Sequence, residues 1–281
     1  MSTLMKDVFL TREERQNIAN WKYACVDHSI TTKIYTPFWN FLARQVPATV
    51  APNIVSLAGL ICILYFFNLA FNYAAEMPSA CSFAGVALVF TYMSLDAIDG
   101  KHARNTGNSS PLGELFDHSC DNVSVPFMVM GFTLCMGITD TTINWYMVQT
   151  LQILFLLSHV DAFCKRVVEF GMFTGPGEAM HLYLGLLAAN GLGYFGGFEQ
   201  WFTGVAQSYD MNGTQLGVVI FSSLYYMSWI VFVLYVGTMA SKHNVTKKGL
   251  LVCILVRTVP ALLIYWGLMS DKLRYLLLFV H

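Results

Sequence analysis

Charge is scarce in this chain. Only 12% of its 281 residues are Asp, Glu, Lys or Arg, while 56% are hydrophobic. A soluble globular domain carries about 25% charged residues, so that class is excluded. The formal net charge is −1, which gives no sign of a nucleic-acid partner, and none is expected. Cysteine pairs are missing as well. The seven cysteines, at 25, 62, 81, 120, 135, 164 and 253, lie mostly in apolar runs with no CxxC spacing. They read as small buried hydrophobes, with neither a disulfide framework nor a zinc site indicated. The first 47 residues hold Lys6, Arg12, Glu13, Glu14, Arg15, Lys22 and Asp27, which excludes a cleavable signal peptide. No internal repeat is visible, so the matched halves common among transporters are absent.

What is present is apolar length. Stretches long enough to span a bilayer fall at 52–73, 79–101, 111–137, 143–165, 178–197, 214–240 and 249–270. The expected fold is an all-α, polytopic membrane bundle of about seven transmembrane helices. A short stub, 273–280, follows the last span. Lys101 and Arg104 follow the second span, Lys165 and Arg166 the fourth, and Lys242, Lys247 and Lys248 the sixth. The alternate connections hold Glu76, Asp140, Glu199 and Asp210, with Lys272 and Arg274 after the seventh span as the one exception. By the positive-inside rule the basic loops and the N-terminus face the cytosol. Ahead of the first span, Ile34–Arg44 mixes aromatics with basic residues and reads as an interfacial helix. The expected organisation is a cytosolic and interfacial segment 1–47, a core of six membrane helices 48–240, and a C-terminal part 241–281.

Against this apolar background, four carboxylates crowd the second and third spans: Asp96, Asp99, Asp117 and Asp121. Near a bilayer centre, four unpaired acids would cost about 10–14 kcal/mol on insertion scales. That is the order of a whole domain's stability. Asp96 and Asp99 are three apart and Asp117 and Asp121 four apart, so each pair shares one helix face. The linker Asn105–Ser110 is short and turn-forming, with Ser110 suited to an N-cap and Pro111 to the first helical position. Two helices joined so closely are neighbours, and the pairs can converge. Oxygen-only ligands favour Mg²⁺ or Mn²⁺ over zinc. Two such ions about 3.5–4 Å apart would clamp a diphosphate. Gly100, Ala103 and Gly113 keep the helix surfaces shallow enough for a nucleotide, and Arg104 can pair with phosphate oxygens.

The run D96-x2-D99-G100-x2-A103-R104-x8-G113-x3-D117-x3-D121 resembles the signature of the CDP-alcohol phosphotransferase family at every fixed position. That resemblance implies an integral membrane enzyme using two Mg²⁺ or Mn²⁺ ions. It would move a phospho-alcohol from a CDP-alcohol to a second alcohol, releasing CMP. Three further stretches, Leu42–Ile54, Ser94–His118 and Phe173–Glu178, are similar to the eukaryotic choline/ethanolamine phosphotransferases. They imply CDP-choline or CDP-ethanolamine as donor, diacylglycerol as acceptor, and a homodimer in the endoplasmic reticulum or Golgi membrane with its site facing the cytosol. Members of that subfamily carry more membrane helices, so the chain is expected to be short at its C-terminus.

The resemblance implies Asp96, Asp99, Asp117 and Asp121 as metal ligands. His159, late in the fourth span, and Asp121 are rival bases for the acceptor's proton. Asn53 and Glu114 are candidates beside the nucleotide, each with a capping role as the alternative. Lys101 and His118 flank the motif and read as interfacial. Trp39, Tyr92 and Phe116 are unranked candidates for caging a choline ammonium. Two alternatives stay open: a different alcohol (inositol, serine or glycerol phosphate), and a cation transporter, which leaves Gly100, Arg104 and the eight-residue spacing unexplained.

Overall fold

The computed structural model describes residues 11–20, 24–172, 175–194, 203 and 205–243. The chain runs α1 (Arg12–Ala19), β1 (Cys25–Asp27), α2 (Ile30–Gln45), α3 (Pro52–Tyr73), α4 (Pro78–Asn105), α5 (Pro111–Cys135), α6 (Thr141–Lys165), β2 (Val168–Phe170), α7 (Pro176–Gly191) and α8 (Gly213–His243). Proline opens α3, α4, α5 and α7. Its fixed φ suits the first turn, and its missing N–H would have had no helical partner there. Ser110 caps α5 by accepting from the Gly113 N–H at 3.0 Å, as the sequence predicts.

The helical membrane class holds. Four described helices are long and apolar enough to cross a bilayer: α3, α4, α6 and residues Gly213–Met239 of α8. The predicted span 111–137 corresponds to α5, whose 25 residues suffice in length, but its acid-bearing first half makes it too polar to qualify. The predicted span 178–197 corresponds to α7, only 16 residues long, against about 20 for a bilayer crossing. The expected spans at 249–270 and the stub at 273–280 lie outside the described residues. One element is added to the all-α expectation. β1 and β2 pair in parallel, from Cys25 opposite Val168 to Asp27 opposite Phe170. Three-residue strands carry no readable periodicity, and only the folded chain brings them together.

α3 packs against both α4 and α5, α4 against α7 and α2, and α6 against α8. One apolar core joins α2, α3, α4, α5 and α7 around Phe66, Ile63, Val89 and Leu187. A second joins α5, α6 and α8 around Trp145, Tyr146, Ile153 and Phe232. The Phe66 ring lies against Gly131 of α5, where an added Cβ would come within 2.6 Å of it, and against Gly85 of α4. Membrane helices approach closely where residues are small, and here the missing side chains admit one aromatic ring between three helices.

α2 covers the predicted interfacial stretch. Trp39 and Ala43 are buried in the first core, while Ile34, Phe38 and Phe41 point outward, 66%, 41% and 60% exposed. The helix is therefore apolar on two faces, as one lying between protein and lipid needs to be. Its first turn is fixed from both sides. Ser29 accepts from the Thr32 N–H, and Asp27 accepts from the Ser29 N–H at 2.8 Å. Burial alone would raise the Asp27 carboxyl, but the side-chain and backbone donors of Ser29 hold it below its ordinary value. Glu178, at the start of α7, reaches the same turn and accepts from both the Thr31 N–H and hydroxyl.

Candidate functional site

The C-terminal end of α4 and the first half of α5 carry the acids, and their convergence follows from the three- and four-residue spacings. Oxygens of Asp96, Asp117 and Asp121 lie within 4.8 Å of one another, a group able to hold a metal ion. Asp99 stands slightly apart and is the most deeply buried acid, 5% exposed. Its Oδ2 accepts from the Ser56 hydroxyl at 2.5 Å, and its Oδ1 accepts from the Gly100 N–H. Asp99 and Asp117 also come within hydrogen-bonding reach of each other, as do Asp96 and Asp121. Two ionised carboxylates have no proton to share, so such pairs close only around a proton or a cation. Among the described residues no Lys or Arg forms an ion pair with the four acids. The donor set is entirely oxygen, which fits a hard divalent ion.

The residues expected around a nucleotide are brought to this end. A Cβ at Gly100 would meet only the Arg104 Nη1 within 4 Å, at 3.4 Å, so this wall is open and the guanidinium folds over it. Arg104 itself is exposed. Ala103 is half-buried in the last turn of α4, where its carbonyl accepts from the Asn108 N–H at 2.9 Å. Asn53 Oδ1 lies 3.6 Å from where a Gly113 Cβ would sit, so the starts of α3 and α5 meet at these two residues. Glu114 is half-buried and near enough to act electrostatically on both Asp117 and His118.

His159 and Asp161 separate. They are two apart on α6, and a helix turns such positions about 200° away from each other. The His159 ring faces His118, with ring centres 4.7 Å apart and planes at 89°, and both imidazoles interact electrostatically with Asp121. Its Nδ1 lies 2.8 Å from the Phe155 carbonyl. Asp161 instead accepts from the Tyr235 hydroxyl of α8 and pairs with Lys165 at 3.1 Å. It belongs to the α6–α8 contact.

Three residues stand at the site in places the sequence reading did not give them. His118, read as interfacial, sits among the acids and His159; its position three before Asp121 on one helix face was the available signal. Tyr92 donates to Asp121 Oδ1 at 2.6 Å. It stands four residues before Asp96, again on one face, and is no free cage wall. Ser56 lies inside an apolar run of α3, and nothing local marks it. Trp39, another of the named cage candidates, is buried against Tyr35 in the core.

The family model of the CDP-alcohol phosphatidyltransferases matches residues 49–189, which hold every acid of the cluster. This chain belongs to the CDP-alcohol phosphatidyltransferase family. Among curated relatives, an uncharacterized CDP-alcohol phosphatidyltransferase class-I family protein of Dictyostelium discoideum is 36% identical over 183 residues, 63% of this chain and 44% of that protein. Cholinephosphotransferase 1 of Danio rerio is 33% identical over 169 residues, 58% of this chain and 44% of that protein. Choline/ethanolaminephosphotransferase 1 of Arabidopsis thaliana is 39% identical over 117 residues, 40% of this chain and 30% of that protein. The chain spans about half the length of the curated relatives it matches.

Proposed function

We propose that this CDP-alcohol phosphatidyltransferase transfers phosphocholine or phosphoethanolamine from its CDP ester to diacylglycerol. The products are phosphatidylcholine or phosphatidylethanolamine, and CMP. The observation that carries this reading is the convergence of Asp96, Asp117 and Asp121 from two helices, with Asp99 beside them, inside an intact family signature. The names borne by relatives from Danio rerio and Arabidopsis thaliana support choline and ethanolamine as head groups.

Asp96, Asp99, Asp117 and Asp121 would hold two Mg²⁺ or Mn²⁺ ions, which supply the positive charge that neutralises a diphosphate. Arg104, exposed at the end of α4, pairs with phosphate oxygens, and the bare Gly100 surface lets the nucleotide lie against the helix. Asn53 and Gly113 border the same nucleotide site, and Ala103 and Glu114 complete its rim. His159 is the base. A ring whose Nδ1–H is donated to the Phe155 carbonyl leaves Nε2 able to accept a proton. The acceptor hydroxyl gives that proton to His159 as its oxygen bonds to the phosphorus bearing the head group. The bridging P–O bond breaks and its electrons leave with CMP. Asp121, tied to Tyr92, is the rival base.

The division of substrates suits this geometry. A CDP-alcohol is water-soluble and reaches the cytosolic end of α4, while a diacylglycerol slides between helices within the leaflet. We place the protein in the endoplasmic reticulum or Golgi membrane on the same reading. The test is CMP release by the detergent-purified chain with diacylglycerol and each CDP-alcohol, with and without Mn²⁺. The expected result is metal-dependent release with CDP-choline, CDP-ethanolamine or both. Release only with inositol, serine or glycerol phosphate as acceptor would overturn the choice of substrates.

A further inference from the structure

Resting on the metal-site reading above, we propose that Ser56 and Tyr92 are positioning residues for a divided two-ion site. Ser56 sets one half through Asp99, and Tyr92 sets the other through Asp121. Neither residue belongs to the signature that marks the acids. They come from different helices, α3 and α4, and each spends one hydroxyl proton on one carboxylate: Ser56 on Asp99 Oδ2 at 2.5 Å, Tyr92 on Asp121 Oδ1 at 2.6 Å. Ser56 is 6% exposed, so its hydroxyl has no bulk water to turn to.

Four like charges in one small volume repel, and an aspartate has only two torsions with which to turn aside. A lysine or arginine would hold the carboxylates but would compete with an incoming cation. A neutral hydroxyl orients a carboxylate oxygen, leaves its remaining lone pair available, and adds no positive charge. Hydrogen-bond partners behind metal ligands typically change metal affinity about 10–100-fold when removed. The two hydroxyls also act on different members. Asp121 lies in the three-acid group with Asp96 and Asp117, whereas Asp99 stands outside it and meets the group through Asp117. The acids are therefore split into a nest governed by Tyr92 and a flank governed by Ser56.

The experiment is Mn²⁺ binding by the full chain in detergent, read as loss of the free-ion electron paramagnetic resonance signal, with no nucleotide present. The unsubstituted chain is expected to show two classes of site. Ser56→Ala weakens one class about 10–100-fold and leaves the other in place, Tyr92→Phe does the reverse, and Ser56→Thr, which keeps the hydroxyl, restores the first. Circular dichroism of each variant checks that helix content is retained. Unchanged affinity in Ser56→Ala and Tyr92→Phe overturns the positioning roles, and a joint fall of both classes in either variant overturns the division. Absence of any Mn²⁺ binding by the unsubstituted chain overturns the metal-site reading itself, a separate result.

Discussion

The Oε1 of Glu178 accepts from both the backbone N–H and the hydroxyl of Thr31, each at 3.1 Å, across 147 residues of sequence. It ties the first turn of α2 to the first turn of α7, and the Ile30 amide is directed at the same carboxylate. A carboxylate at a helix N-terminus answers N–H groups that have no partner inside the helix. This contact also accounts for the glycine before Glu178. A Cβ on Gly177 would collide with the Thr31 side chain, so the stretch Gly175-Pro-Gly-Glu178 is shaped by its neighbour α2.

Glu178→Ala is therefore expected to loosen α2 from α7. Hydrogen bonds to a charged group contribute about 1.5–3 kcal/mol, so the loss of stability should be about 2 kcal/mol. Thermal unfolding in detergent gives the magnitude, and amide hydrogen exchange at residues 30–33 gives the place. Exchange there that matches the unsubstituted protein counts against the contact.

The acids should be indispensable to turnover but not to insertion. Asp117→Asn and Asp99→Ala are each expected to lower CMP release at least about 100-fold, the loss typical when one electrostatic stabiliser of a transition state is removed. Membrane fractionation should find both variants inserted. Retained turnover on adding excess Mg²⁺ would argue that these carboxylates do not hold the ion.

The rival bases separate by pH dependence. His159→Ala is expected to cost about 10²–10⁴-fold in turnover and to remove the imidazole limb of the pH–rate profile. Asp121→Asn should weaken Mn²⁺ binding while keeping that limb. A His159→Ala variant with full activity would transfer the base role to Asp121.

Phe66 offers a test of packing away from the chemistry. Gly131→Ala drives a methyl into its ring, since the new Cβ would lie 2.6 Å from it. Overpacking of this kind costs about 1–3 kcal/mol, so the melting temperature should fall. Restoring it with Phe66→Leu in the same chain would assign the loss to that contact, and a melting temperature unchanged by Gly131→Ala would refute the close packing.

The membrane character, the helix starts and the identity of the acids were readable from residues alone, because each depends on local information. Apolar length, a proline in the first turn and carboxylates one turn apart state their meaning within a few positions. The Ser110 cap and the pairing of Asp96 with Asp117 and Asp121 follow from that spacing. The count of spans was less legible. The acid-bearing face lowers the apolarity of α5, and the length of α7 depends on where its helix stops.

Tertiary structure alone decided which polar side chains serve the acids. Ser56 lies 43 positions from Asp99, Tyr92 lies 29 from Asp121, and Thr31 lies 147 from Glu178. No periodicity links such distant residues; they meet because apolar faces elsewhere on α2, α3, α4, α5 and α7 pack together and carry them along. The packing of α6 against α5 and α8 turned His159 toward His118 and Asp161 toward α8, a choice of helix face that a single sequence leaves open until the neighbouring helices are in place.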